Sequence, residues 1–535
     1  MFPGKSSLTV LVVSLLTILY GVNIKPQKSL LAQPTIANSS SSFNTDQPTI
    51  KKIQFKGNTV FTNEELKSAV REYRDKSLSL DELIEIRNLI TEYYQKQGYT
   101  VASVKLPPQN FTDGSVTLQV LEGSLSNIEV KGLSSLSKSF ITQRLVDVGT
   151  PLNVEQLEQQ LSALRDNDVI ENIDADLQEV KPGQNLLTVT VEESNPLGSQ
   201  FTLTNTFSPS VGSFGGNASF NYQLLGYGDI LNLEYARTES DGLERFGTGY
   251  SIPINGNNTT LSLNYTTANS NVIEDPLTPL DIQADFQSYQ LGVSQPISIG
   301  SNRTLDVGIG LENIQTENAV GLLEENNLNP FIEGLEGSES ELTALRFFGE
   351  YSNQNQQSSL AFRTQMNLGL DVLDATVTEV GRDGLFWSWQ GQGEYLRRLG
   401  DLLLVTNLEL QLTPDQLLPV EQLGLGGRNQ VRGYRQNLSI GDSGVIGSVG
   451  VEIPLFNSRN WNLRLVPFFD AGTIWNNDPE ELQNDTLVST GLGLRYSWEE
   501  IVSAQLDLGF PLIDADAPSD FDTDQEFSFL LQVSP

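Results

Sequence analysis

The chain has 535 residues, too many for one ordinary globular domain, because single cores stop growing near about 250–300 residues. Its 32 Lys+Arg stand against 67 Asp+Glu, a net charge of −35 that leaves no basis for the basic face nucleic-acid binding requires. Neither Cys nor His occurs, which excludes thiolate nucleophiles, thiolate or imidazole zinc sites and His-based general bases, and with them most hydrolases; no cofactor and no catalytic residue are expected.

The N-terminus reads as an export signal over residues 1–32. Lys5 supplies the positive charge and Leu8 to Tyr20 the apolar run, which is too short for a stable span, with cleavage after Ala32 or Ala37. An uncleaved anchor is the alternative. Residues 33–49, with Ser39 to Ser42, are too polar to bury a core and read as a flexible linker. Beyond this point nowhere do about 20 apolar residues run together, so helical membrane spans are excluded.

Residues 50–194 mix helical and strand periods in a repeated order. Ile53, Phe55 and Gly57 recur in kind as Ile128, Val130 and Gly132, each a short strand closed by glycine. Thr62 predicts the start of one helix through Leu66, Ala69 and Val70. Ser79, with Glu82 at the capping-box position, predicts a second helix with Leu83, Ile86, Leu89, Ile90 and Tyr93 on one face and Gly98 at its end. Two strands follow, the first beginning at Tyr99. A second copy has helices near Ser137 to Val148 and Asn153 to Asn167, then two more strands. Each copy is therefore a β-α-α-β-β unit of about 70 residues.

From Phe201 onward strict alternation replaces the helical period, as in Leu231/Leu233/Tyr235 and Leu402/Leu404/Thr406/Leu408/Leu410/Leu412. Sixteen such runs can be counted. Soluble sandwiches are the competing reading, but three features favour a transmembrane β-barrel. Many runs have about 9–12 residues; aromatics such as Tyr222, Tyr265, Trp387 and Trp498 lie on the apolar register or at its ends; and tight turns alternate with long polar loops. The inward register is wet, with Arg363, Arg464 and Arg495 on it, and implies a hydrated or plugged lumen.

Two motifs stand out. Leu423 to Tyr434 (LGLGGRNQVRGY) is glycine-rich, but no helix follows, so it reads as a loop between the eleventh and twelfth strands and not as a nucleotide site. In Pro467 to Gly472 (PFFDAG), alternation turns Phe469 outward and Phe468, Asp470 and Gly472 inward. An inward Asp is either a solvated pore-lining charge or a specific partner.

The signal segment, the paired β-α-α-β-β repeats, VRGY in a long loop and FFDAG two strands later together resemble the two-partner secretion transporters, the hemolysin and hemagglutinin secretion branch of the barrel-assembly superfamily. Gly98 to Gly123 is similar to the first polypeptide-transport-associated (POTRA) domain of that branch. The resemblance implies POTRA domains over 50–124 and 125–194 in the periplasm and a sixteen-stranded antiparallel barrel over 195–535 in the outer membrane. It also implies a lumenal loop tipped by Val431, Arg432, Gly433 and Tyr434, and a barrel-wall partner at Asp470 flanked by Phe468 and Gly472. Water in such a lumen is expected to weaken an Arg432–Asp470 pair toward the roughly 0–1 kcal/mol of exposed ion pairs. The helix over 80–97 and the following strand would frame a substrate groove at Tyr93, Tyr99 and Val101.

The implied activity is capture of a large unfolded exoprotein and its export without ATP. The implied partners are that exoprotein, outer-membrane lipid and the barrel-assembly machinery that inserts the chain. A barrel insertase of the same superfamily is the alternative function, and a surface enzyme such as a glycosidase is a third class. The sequence departs from the family in two places. Residues 33–49 lack the amphipathic period of a plug helix, and the last strand places Phe527, Phe529, Leu531 and Val533 on its apolar register but ends in Ser534-Pro535, not in an aromatic residue.

Overall fold

Two capping boxes set the helix starts of the first repeat. Thr62 accepts the Glu65 backbone N–H while Glu65 accepts that of Thr62, and Ser79 and Glu82 repeat the arrangement. Each box satisfies backbone donors that a helix start would leave bare. The structure, a computed structural model, describes residues 52–535 apart from 74–75, 110–113, 146–149, 166, 168, 276, 301, 321–338, 378–381, 478–483 and 516–523. The expected signal segment 1–32 and linker 33–49 lie outside the described residues, as do Lys51 and Ile50. Among the described residues no helix is long and apolar enough to cross a membrane.

The chain divides into two units, one ending at Ser194 and the other running Asn195–Pro535. The first repeat comprises β1 (Lys52–Lys56), α1 (Asn63–Ala69), α2 (Leu80–Lys96), β2 (Ser103–Lys105) and β3 (Ser115–Leu121). The second comprises β4 (Ser124–Lys131), α3 (Lys138–Arg144), α4 (Val154–Arg165), β5 (Ile170–Lys181) and β6 (Gln184–Glu193). Each sheet has three strands, in the orders β1-β3-β2 and β4-β6-β5, with β1–β3 and β4–β6 parallel. On α2 the fully buried face is Leu83, Ile86, Ile90 and Tyr94. Burying such side chains is worth about 1.5–3 kcal/mol each. Gly98, at φ 87°, ends this helix in the left-handed conformation that glycine tolerates. The strand expected from Tyr99 starts later, at Ser103, because Tyr99 to Val101 form a turn that begins with the Ala102 N–H bonded to the Tyr99 carbonyl.

The two repeats share a carboxylate device that the sequence pattern did not reveal. Glu122, just after β3, accepts the backbone N–H groups of Thr59 (2.6 Å) and Val60 (2.9 Å) and the Tyr94 hydroxyl (2.7 Å). Glu193, at the end of β6, accepts those of Ser134 (2.7 Å), Ser135 (2.7 Å) and Leu136 (3.0 Å). In both copies a carboxylate from the last strand pins the turn after the first strand.

The second unit is a closed barrel of sixteen strands. In chain order these are β7 (Leu197–Thr204), β8 (Gly215–Tyr222), β9 (Ile230–Thr238), β10 (Leu243–Pro253), β11 (Thr260–Asn271), β12 (Ile282–Gly300), β13 (Arg303–Val320), β14 (Glu339–Gln354), β15 (Ser358–Leu370), β16 (Trp387–Leu399) and β17 (Leu402–Leu412). The long connection after β17 carries three short strands, β18 (Leu423–Leu425), β19 (Gly433–Tyr434) and β20 (Ser439–Gly441). The wall resumes with β21 (Ser443–Asn457), β22 (Trp461–Trp475), β23 (Asn484–Trp498) and β24 (Val502–Pro511). After the short β25 (Asp524–Gln525), β26 (Phe527–Val533) closes the ring.

Neighbouring wall strands are antiparallel, and β26 meets β7 through four residue pairs from Leu530↔Thr204 to Val533↔Phe201. Side chains extend that short seam: Asn205 donates to the Phe527 carbonyl (3.0 Å) and accepts from the Phe529 N–H (2.8 Å). Alternation sorts the wall. Leu263, Leu291, Leu408 and Phe469 are exposed on the outside, whereas the inward arginines are each paired across strands, Arg363 with Glu350 (2.6 Å), Arg464 with Glu452 (2.7 Å) and Arg495 with Asp507 (2.6 Å). β7 begins and β26 ends at the end with the short turns, such as 400–401 and 458–460, and the long loops lie at the other end.

Candidate functional site

The connection 413–442 folds back inside the barrel around a small apolar core of its own. Leu423 and Leu425 of β18, Val431 and Tyr434 pack against Ile446 of β21, Ile474 of β22 and Leu487 of β23, all buried. β18 pairs with β20, and Gly433-Tyr434 pair with Gln525 and Asp524, so ladder bonds satisfy part of the loop's backbone inside the lumen. The wall is cut to receive it. A side chain at position 472 would meet Leu425 Cδ1 at 2.6 Å, and one at position 509 would meet the Gly433 backbone nitrogen at 2.5 Å. Gly433 itself has φ 100°, a conformation that favours glycine.

Arg432 then reaches Asp470. Its Nε donates to Oδ2 and its Nη2 to Oδ1, both at 2.7 Å, and its own backbone N–H donates to Oδ2 at 3.1 Å. Ser448 bridges the pair, donating to Asp470 Oδ1 (2.7 Å) and accepting from Arg432 Nη2 (3.1 Å). The guanidinium carbon lies 3.4 Å from the centroid of the Phe468 ring, a cation–π stack. Two parallel N–H donors facing one carboxylate is a geometry that Arg supplies and Lys cannot. The Asp470 side chain is fully buried and that of Arg432 12% exposed. The weak, water-screened pair expected from the sequence is therefore corrected: loop core and glycine-lined wall exclude solvent, which puts the contact among buried ion pairs, where loss of one partner costs about 3–5 kcal/mol.

The surroundings hold groups that sequence reasoning missed. Asp507 on β24, also buried, lies 2.6 Å from Arg495 Nη2 and 3.5 Å from both Arg428 Nε and Arg432 Nη1. Arg428 also donates to Gln505. Three guanidinium groups thus crowd two carboxylates. The Tyr434 hydroxyl lies 2.7 Å from the Ile513 carbonyl and 2.9 Å from that of Val488. At the base of the loop, Glu421 receives both Arg346 Nη2 (2.6 Å) and Nη1 (3.2 Å), while Arg346 Nε donates to Glu312 (2.6 Å). The one sequence signal for Asp507 and Arg346 is alternation, which turns both inward; nothing local marks Glu421 as the partner of Arg346.

The POTRA-type residues divide differently. Tyr93 and Tyr99 come together around Phe61, with ring centroids 4.9 and 6.1 Å away, next to the buried Tyr94. Val101 is elsewhere: it packs on the core of the second repeat, and a side chain at Gly123 would meet it at 2.6 Å. It joins the repeats instead of lining a surface with Tyr93. In this unit burial raises the Tyr94 hydroxyl and its bond to Glu122 raises it further. Burial also pushes Glu122 and Glu193 upward, but their converging donors outweigh it, holding Glu122 below the usual range and Glu193 down at about 2.

Residues 183–496 match the family described as Haemolysin secretion/activation protein ShlB/FhaC/HecB, and residues 49–123 match the ShlB-type POTRA domain. The chain belongs to the haemolysin secretion/activation family. It is 21% identical over 486 residues to Outer membrane transporter CdiB of Dickeya dadantii, covering 87% of this chain and 83% of that protein. It is 26% identical over 293 residues to Heme/hemopexin transporter protein HuxB of Haemophilus influenzae, covering 53% and 51% of the two chains. The solved structure of CdiB from Escherichia coli superposes with a TM-score of 0.70 at 19% identity, covering 100% of this chain and 99% of that one, and so shares the fold. The family places the barrel in the outer membrane and the N-terminal repeats in the periplasm. The short-turn end, where the barrel starts and stops, is then the periplasmic one and the long loops are extracellular. The protein is a two-partner secretion transporter, and the insertase alternative is not favoured.

Proposed function

We propose that the first repeat captures an extended segment of an exoprotein and that the barrel passes it outward, with Arg432 and Asp470 holding the lumenal loop in its working position. The observation that carries the loop's part is the buried bidentate pair, braced by Ser448 and Phe468, at the tip of a segment packed inside the pore. Capture is supported by the place of β2 at the edge of its sheet among the described residues, and by the Phe61, Tyr93 and Tyr99 cluster in the same repeat. Edge pairing reads backbone more than side chains and so tolerates varied cargo sequences.

Related transporters carry names that point to particular cargo, such as heme/hemopexin for HuxB; for this chain the cargo class is a large secreted polypeptide. Outer-leaflet and inner-leaflet lipid contact the exposed apolar register, and the barrel-assembly machinery inserts the chain. We assign no catalytic step. The test is a deletion strain: a specific polypeptide should disappear from the culture medium and return with the wild-type gene, whereas Arg432→Ala should not restore it although the barrel is present in the membrane. Normal secretion supported by Arg432→Ala would defeat the loop's role, and an unchanged medium in the deletion strain would defeat export itself.

A further inference from the structure

Three residues beyond Arg432, Arg435 makes another forked contact, with an extracellular connection. Nη1 donates to Glu274 Oε1 at 2.8 Å and Nη2 to Oε2 at 2.7 Å, with Ser210 Oγ 3.4 Å from Nη2. Arg435 is 8% exposed, so this too is a contact made away from bulk water. Glu274 lies in the connection between β11 and β12 and Ser210 in that between β7 and β8, both at the extracellular end. The two connections are folded onto each other: the Ile273 N–H donates to the Ser210 carbonyl at 2.9 Å. In the order of the ring, β11 and β22 are eight strands apart in a barrel of sixteen. Arg432 is thus fixed to the β22 wall and Arg435 to the connection between β11 and β12, so that the tip is held at two separate points of the ring.

We propose that Arg435 and Glu274 form a second latch that positions the lumenal loop, and that this latch must release before an exported chain can leave the pore. The inference rests on the reading of the chain as an exporter. The physical reason is steric. A loop held at two points inside the lumen cannot swing aside for a threading polypeptide, and freeing the Asp470 end alone leaves the tip tethered to Glu274 and to β25. Release at Glu274 uncovers a gap between the tip and the β11–β12 connection without disturbing the wall contact at Asp470.

Because the chain has no Cys, introduced thiols are unique, which permits a direct test in the full-length protein. The double variant Arg435→Cys with Glu274→Cys, treated in cells with a reducible bifunctional thiol reagent matched to the length of the replaced side-chain pair, should stop secretion, and reduction should restore it. The single variants treated with a monofunctional reagent should continue to secrete. Continued secretion from cross-linked protein, or an equal block by the monofunctional adducts, would overturn the proposal. In planar bilayers Glu274→Gln should raise occupancy of the open conductance level about fivefold, the ratio for about 1 kcal/mol, and a trace matching wild type would overturn it. This second arm needs no cargo, so it separates failure of the latch from failure of the export reading, which would appear as absent secretion from the wild-type protein.

Discussion

Leu425 occupies the volume that any side chain at Gly472 would claim: a Cβ built on Gly472 falls 2.6 Å from Leu425 Cδ1 and 3.1 Å from Ile446 Cγ1. The last glycine of FFDAG is thus a socket for the lumenal loop, and its side-chain-free surface couples a wall strand to β18. Gly472→Ala should displace the loop at a cost of about 1–3 kcal/mol, the usual size of an overpacking penalty. The barrel wall, whose ladder on β22 is untouched, should still assemble. Protease nicking in 413–442 together with unchanged heat-modifiable gel mobility checks this, and Leu425→Ala in the same chain should restore protection. Failure of that second change to restore it would mean that the clash is not what moves the loop.

At the neighbouring contact, Arg432→Lys should be nearly as damaging to secretion as Arg432→Ala. A lysine keeps the charge but forfeits the paired donors and the flat stack on Phe468. Exchange of charges, Arg432→Asp with Asp470→Arg, should rescue little. The native contact also uses the Arg432 backbone N–H and Ser448, and neither of these donors suits an arginine at 470. Secretion by Arg432→Lys at wild-type level would show that charge alone suffices.

These details mark the boundary of what the sequence discloses. Barrel class and strand number were legible because a period of two is a local property, and Asp470 was found inward by the same count. Apart from the Arg432–Asp470 pair, which the family resemblance implied, the partners were not. Arg435 and Glu274 are 161 residues apart, and Arg346 and Glu421 are 75 apart. No periodicity links residues that meet only after a closed ring fixes which loops share a lumen. Tyr99 to Val101 failed for a different reason. Their β-type composition predicts a strand, but the left-handed exit at Gly98 and the bond between the Val154 N–H and the Gly98 carbonyl commit them to a turn at the joint between repeats. Burial of the Arg432–Asp470 pair likewise depends on Leu425 and Val431, whose packing inside the lumen has no signature in the motif itself.

A prediction for pH follows from the carboxylates of the periplasmic unit. Glu193 is held at about 2 and Glu122 below its ordinary value by donors present only in the fold. A group with a depressed folded value contributes stability that is present above the unfolded value near 4.5 and is lost as pH falls toward the folded one. A fragment of residues 52–194 should therefore lose thermal stability between about pH 5 and pH 2, more steeply than Glu193→Gln, which has no charge to protonate. Parallel melting curves for the two proteins across that range would refute the assignment.

At the barrel seam, Asn205 substitutes for ladder bonds that the four backbone pairs of β26 and β7 do not provide, joining Phe527 and Phe529 through both ends of its amide. Asn205→Ala removes two hydrogen bonds of about 0.5–1.5 kcal/mol each. The folded band on unboiled gels should convert to the unfolded one at a lower temperature, with secretion retained at growth temperature. A conversion temperature equal to wild type would show that the seam does not limit barrel stability.

The joint between the periplasmic repeats yields the last prediction. Val101 leaves the first repeat to pack on the core of the second. Gly123, at φ 79°, gives way to it, and two backbone bonds cross the same line: the Leu152 N–H donates to the Gly123 carbonyl at 3.0 Å and the Val154 N–H to that of Gly98 at 2.9 Å. An apolar side chain inserted in a neighbour's core, together with shared backbone bonds, couples the unfolding of the two repeats. Residues 52–194 should accordingly melt in one transition. Val101→Asp places a carboxylate among aliphatic side chains, where desolvation without a partner costs several kcal/mol, and that cost falls on the joint and not on either repeat's own sheet. The variant should melt in two steps, with β-sheet and helix signals of both repeats intact at low temperature. It should also secrete less, since a capture site on the first repeat would then be uncoupled from the second. Two resolved transitions in the wild-type fragment would show that the repeats are independent and that Val101 does not couple them.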